Sequence, residues 1–138
     1  MTYKFYDTCS LLLKANNLFD EKDVRVVVSS VTLQELEDIK TASNKDAEIK
    51  YSARKLLKTL SEHPALYEIW IYKDYMIEPI MANGFTHVNN DLKILATAFD
   101  YDTNKHPDET VFVTNDLALQ TIANCFFGED SIESVDEE

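Results

Sequence analysis

Glycine is almost missing: Gly84 and Gly128 are the only two in 138 residues. A dinucleotide fingerprint needs three glycines in close register, and a P-loop needs glycines around a Lys, so neither phosphate cradle can be built. Nucleotide-cofactor chemistry of those kinds drops out. Cysteine is equally scarce. Cys9 and Cys125 stand far apart and form no CxxC, which excludes a disulfide framework. Two buried free thiols in a reducing compartment are expected instead. His63, His87 and His106 have no companions at metal-ligand spacing, so zinc is not expected. No apolar run approaches the roughly 18 to 20 residues of a membrane span. The N-terminal MTYKFYDTCSLLLKANN is broken by Asp7 and Lys14 and makes a poor signal peptide. The expectation is a soluble, cytoplasmic protein with no membrane partner.

Positive charge is also short. Thirteen Lys and Arg face 25 Asp and Glu, a net charge of −12. Binding along a phosphate backbone normally shows as a basic field, so a general nucleic-acid coat is excluded. Part of the excess is local. GEDSIESVDEE holds Glu129, Asp130, Glu133, Asp136, Glu137 and Glu138, and residues 128–138 are expected to form an acidic, flexible tail. The rest of the chain stays acidic without them.

What is present is an alternation of strands and helices. Tyr3 to Tyr6 reads as a first strand. VRVVVSS, with its β-branched run from Val24 to Val28, reads as a strand buried on both faces. VTLQELEDIK then opens a helix, with Thr32 and Glu35 spaced as a capping box. DAEIKYSARKLLKTL carries a helical stripe of Ile49, Ala53, Leu56, Leu57 and Leu60. YEIWIY from Tyr67 to Tyr72 and TVFVT from Thr110 to Thr114 read as further strands. NNDLKILATAF, capped by Asn89 or Asn90, and NDLALQTIANCFF read as helices, the first with Leu92, Leu95, Ala96 and Phe99 inward. This order implies an α/β fold, a Rossmann-like three-layer α/β/α sandwich around a central, mainly parallel sheet.

Four acids sit at related places. Asp7 follows the first strand and Asp116 follows TVFVT, each ahead of an apolar helix. Glu35 lies just after the VVVSS strand, and Asp91 opens its own helix. Each could be only a cap or a partner for the helix dipole. In open α/β sheets, however, groups at strand carboxyl ends converge on one crevice. Bare carboxylates meeting there would raise one another's pKa values, a conflict that a divalent cation resolves. Hard oxygen donors of this kind select Mg²⁺ or Mn²⁺.

DTCSLL, VTLQELEDIK, NNDLKILATA and VTNDLALQ, in this order and spanning nearly the whole chain, resemble the four motifs of PIN-domain ribonucleases. The nearest likeness is to the PIN domain that precedes the ATPase in PhoH-like proteins. The resemblance implies a PIN-like domain over residues 1–127. It also implies metal-dependent endonucleolytic cleavage of single-stranded RNA, with Mg²⁺ or Mn²⁺ held by Asp7, Glu35, Asp91 and Asp116. Glu35 would be a ligand or a general base, and Asp38, three residues on, is its understudy. Thr114 and Asn115 match the family's polar approach to the last acid. One departure is visible: Cys9 stands where the family usually carries Asn, which removes a hydrogen-bonding side chain beside the site.

RNA must also be held. Lys50, Arg54, Lys55 and Lys58 form a basic stripe on one helix, a candidate RNA contact or an ordinary solvated face. Trp70 and Tyr72 could stack bases, although their strand position favours core packing. Single-stranded RNA is the expected partner, with a homo-oligomer and a fused or associated ATPase module left open. Two alternatives share the fold: a catalytically weak PIN-like RNA-binding or assembly module, and a toxin-type PIN ribonuclease. A phosphoryl-transfer receiver domain is also acidic and α/β, but its paired early acids and late Lys are missing here.

Overall fold

β-branched and aromatic side chains dominate the five segments that pair into the sheet. The computed structural model describes residues 1–135. The strands are β1 Thr2–Tyr6, β2 Val24–Ser29, β3 Tyr67–Trp70, β4 Thr110–Val113 and β5 Ile132–Glu133. All their pairings are parallel, in the order β3-β2-β1-β4-β5. The helices are α1 Thr8–Lys14, α2 Ser30–Thr41, α3 Ala47–Glu62, α4 Glu78–Ala82, α5 Asn90–Asn104 and α6 Leu117–Ala123.

Alternation along each strand sends neighbouring side chains to opposite faces. Phe5, Val27 and Phe112 pack under α4, α5 and α6, while Tyr6, Val26, Val28 and Val113 pack under α1, α2 and α3. Two cores separated by one sheet make the three-layer α/β/α sandwich that the sequence implied. Helix α5 buries Ile94, Ala98 and Tyr101 as well as Leu92, Leu95 and Ala96, while Phe99 is half-buried. No helix among the described residues is long and apolar enough to cross a membrane.

The chain passes from β1 to β2 and β3 on one side of the sheet, then returns to β4 and β5 on the other. The helices that follow the adjacent strands β1 and β4 leave for opposite faces. Their departure opens a crevice at the carboxyl ends of those two strands.

Several expectations are corrected. Helix α2 begins two residues before Thr32: Ser29 is the N-cap, its hydroxyl accepting the Val31 amide at 3.1 Å. Thr32 is buried inside the helix, so Thr32 and Glu35 form no capping box. Ile49 is exposed, because it lies in the first turn of α3, ahead of the buried Ala53, Leu56 and Leu60. Cys9 and Cys125 are exposed rather than buried. Cys9 lies in the first turn of α1, next to the buried Ser10 and Leu11, and Cys125 lies in the turn after α6.

Residues 128–135 differ from the tail expected there. Glu129–Ser131 form a 3₁₀ turn and β5 pairs with β4. Ion pairing offsets the local acidity: Lys4 Nζ contacts both Glu133 and Glu21 at 2.8 Å. Asn115 then continues the pairing with its side chain, donating to the Val135 carbonyl at 2.8 Å and accepting the Val135 amide at 2.7 Å. Asp136, Glu137 and Glu138 lie outside the described residues.

Candidate active site: four carboxylates at a sheet crevice

Tyr6 ends β1 in the core, and the next residue, Asp7, caps α1. Asp7 is buried; its Oδ1 accepts the Ser10 amide at 2.9 Å and its Oδ2 accepts the Thr114 hydroxyl at 2.5 Å. Asp116 repeats the arrangement after β4. It caps α6, and its Oδ1 accepts the Leu119 amide at 3.1 Å. The Thr114 hydroxyl, wholly buried, also accepts the Asp116 amide at 3.1 Å, so one side chain ties both acidic turns together. Both acids are therefore helix caps and crevice residues at once.

Glu35 and Asp91 arrive on helices. Glu35 projects from α2, where its Oε1 accepts the Thr8 hydroxyl at 2.6 Å. Asp91 lies in the first turn of α5, whose N-cap is Asn89. These two, with Asp7, Asp116 and Asp38, line one cleft of about 450 Å³. Asp38 is exposed there and accepts from Gln34 Nε2 at 3.0 Å. The geometry thus brings together all four acids singled out in the sequence, with the understudy beside them.

Their proximity has an electrostatic signature. Partial burial, and then the charges of Glu35, Asp7 and Asp116, push the Asp91 carboxyl above its ordinary range. The Cys9 thiol is pushed up by burial and by all four acids. Among the described residues, no three His, Cys, Asp or Glu side chains close on a common point as a ready-made metal shell. The donor chemistry nevertheless fits a hard divalent cation. Mg²⁺ keeps several waters and takes only one or two carboxylates plus substrate oxygens, so it needs no protein cage.

Asn115 turns away from this cleft to hold Val135, while Thr114 serves it directly. The basic stripe lies elsewhere. Arg54, Lys55 and Lys58 are exposed on α3 and line a separate depression of about 440 Å³ with Tyr51. Lys50 is half-buried and is not part of that depression's lining. Trp70 and Tyr72 pack against the core under α5, and Trp70 Nε1 donates to Asp100 at 2.9 Å.

Two residues escaped sequence reasoning. Thr8 positions Glu35, and only its place beside Asp7 hinted at that. Lys45, in the polar α2–α3 connection, is the one cation lining the carboxylate cleft among the described residues. Nothing in the spacing of TASNKD marks it.

Solved structures share this fold. VapBC2 from Rickettsia felis, in a crystal structure bound to a DNA fragment from its promoter, aligns at TM-score 0.60 with 18% identity, covering 99% of this chain and 100% of that one. A domain of a functionally unknown protein from Methanocaldococcus jannaschii aligns at TM-score 0.54 with 20% identity, covering 100% and 92%. No curated protein matches the sequence. Residues 5–126 match the PIN domain, from just before Asp7 to just beyond α6. The chain belongs to the PIN-domain family, whose members are typically nucleases.

Proposed function

We propose that this protein is a metal-dependent endoribonuclease acting on single-stranded RNA. The observation that carries the reading is the convergence of Asp7, Glu35, Asp91 and Asp116 from four separate segments on one cleft. Like charges kept this close favour a cation. Asp7, Asp91 and Asp116 would hold Mg²⁺ or Mn²⁺. Bound there, the ion supplies a more acidic water and offsets charge on the leaving oxygen.

The chain's own residues do the rest. Asp7 is fixed by two hydrogen bonds and cannot swing out of the crevice. Thr114 sets the spacing between Asp7 and Asp116 through bonds to each turn. Glu35, oriented by the Thr8 hydroxyl, is the group we assign to accept the proton of the attacking water. Lys45, which lines the cleft, would meet the non-bridging oxygens of the scissile phosphate. Arg54, Lys55 and Lys58 give a second, more distant grip on the strand.

Within the family, the order and wording of the four motifs favour the PIN domain of PhoH-like proteins, which would bring an ATPase module as a fused or associated partner. The test is incubation with labelled single-stranded RNA and Mn²⁺. Cleavage that EDTA stops, and that Asp7→Asn and Asp116→Asn abolish without unfolding the protein, is the expected result. Undiminished cleavage by both variants would overturn it. Intact RNA with wild-type protein would leave the non-catalytic RNA-binding module.

A further inference from the structure

Beside the carboxylate cleft lies a second cavity, of about 380 Å³. The two share a wall, because Asp91 and Asp116 line both. Their other linings differ in chemistry. The second cavity is floored by Leu92, Leu119 and Ile122, and its sides include Phe85 and His87. Phe85 is half-buried and rests on the core, while His87 is exposed. Both belong to the connection between α4 and α5, which is fixed at its two ends. Gly84 takes φ +95°, a conformation that side-chain-bearing residues rarely adopt, and Asn89 caps α5 through the Leu92 amide at 2.9 Å. The pocket's floor belongs to α5 and α6, and its volume falls within the roughly 300–1,000 Å³ of small-molecule sites.

We propose that this pocket takes one nucleobase of a single-stranded RNA, next to the phosphate at Asp91 and Asp116. The inference deepens the nuclease reading and rests on it for the identity of the strand. Three observations favour a base. A planar heterocycle has apolar faces and polar edges, which suits a Leu and Ile floor with two rings at the side and the Thr86 hydroxyl in the lining. The shared carboxylate wall joins the pocket to the cleft, so a strand with a phosphate in one can turn the neighbouring base into the other. Finally, a protein of net charge −12 has little backbone attraction to draw on. Stacking and apolar burial of bases, which do not depend on charge, must then carry much of the affinity. The pocket makes the cleavage position depend on the base beside the scissile bond.

The test walks a single abasic residue along a labelled eight-nucleotide RNA. Binding is followed by fluorescence anisotropy with Mn²⁺, using Asp7→Asn protein so that the probe stays intact. At one position the missing base should weaken binding about tenfold. The penalty should vanish when His87→Ala, an exposed change, or Phe85→Ala is added. Melting curves show whether Phe85→Ala remains folded, and His87→Ala answers alone if it does not. Wild-type cleavage of the same probes separates the two ideas. Cleavage without any base-dependent position overturns the pocket and spares the nuclease. A base-dependent position without wild-type cleavage sustains the pocket and overturns the nuclease. Neither binding nor cleavage overturns both.

Discussion

The Thr114 hydroxyl donates to Asp7 Oδ2 at 2.5 Å, across 107 positions of sequence. A second bond, from the Asp116 amide to the same oxygen at 3.1 Å, makes Thr114 the joint of the two acidic turns. Replacing it by Val keeps the shape and removes both bonds. The buried Asp7 carboxylate then loses a donor and the Asp116 amide an acceptor. Thr114→Val should cost about 1–3 kcal/mol in urea unfolding. Thr114→Ser, which keeps the hydroxyl and loses one methyl, should cost about 1 kcal/mol. A Thr114→Val protein as stable as wild type would mean that the hydroxyl bonds contribute nothing.

Metal binding should be visible without substrate. A cation that binds only the folded protein stabilises it by RT ln(1 + [L]/Kd), about 2.7 kcal/mol at a hundredfold excess over Kd. For this size of domain the melting temperature should rise by roughly 5 °C or more with Mn²⁺. Na⁺ at matched ionic strength and Ca²⁺ are the controls. Asp91→Asn should shrink the shift and raise the metal-free melting temperature, since it relieves repulsion from Glu35, Asp7 and Asp116. A lower metal-free value would instead mark Asp91 as a simple partner of the α5 dipole.

Lys45 and the α3 stripe should behave differently. Lys45→Ala removes the cation of the carboxylate cleft. It should slow RNA cleavage at saturating substrate and lower the salt slope of binding by about one. Changing Arg54, Lys55 and Lys58 together to Ala should weaken binding and flatten the slope further, with the rate at saturation unchanged. Salt titrations of affinity and single-turnover rates distinguish the two sites.

Acid stability should depend on Glu68, far in sequence from the four acids. Burial works against its charge. Hydrogen bonds from Tyr101 and Lys105 and the charges of Lys105 and Arg25 outweigh that, holding the carboxyl below its ordinary 4.5. A depressed folded-state pKa means that the unfolded chain binds the proton more readily. The contribution is therefore present above about 4.5 and lost as pH falls through the folded value. Glu68→Gln should lower unfolding free energy at pH 7 and make it fall less between pH 5 and 3. An unchanged acid profile would show that the network adds nothing.

Asp7 and Asp116 were legible in the sequence because each follows a dense β-branched or aromatic strand and precedes an apolar helix. Those local signals fix where a strand's carboxyl end falls. Glu35 was singled out for its place just after the VVVSS strand, and the rival reading of it as a capping-box residue is the one that fails. Thr32 and Glu35 mimic a capping box, whereas the true helix start uses Ser29, two residues before the expected opening. Lys45, Phe85 and His87 were not legible as site residues. They sit in connections whose path is set by packing between helices far apart in sequence. Strand β5 was hidden for another reason: its pairing draws on Lys4 and Asn115, neither of which is local to Glu133.

The sheet order has a consequence for synthesis. β1 leaves the ribosome first yet lies at the centre, and its neighbour β4 is made more than a hundred residues later. A nascent chain that stops before β4 can carry Asp7, Glu35 and Asp91, but it has no Thr114 to hold Asp7 and no Asp116 opposite. Because closing so long a loop is slow and comes before its contacts reward it, the crevice is among the last features to assemble. The proposed nuclease site is thereby unarmed until β4 has docked beside β1.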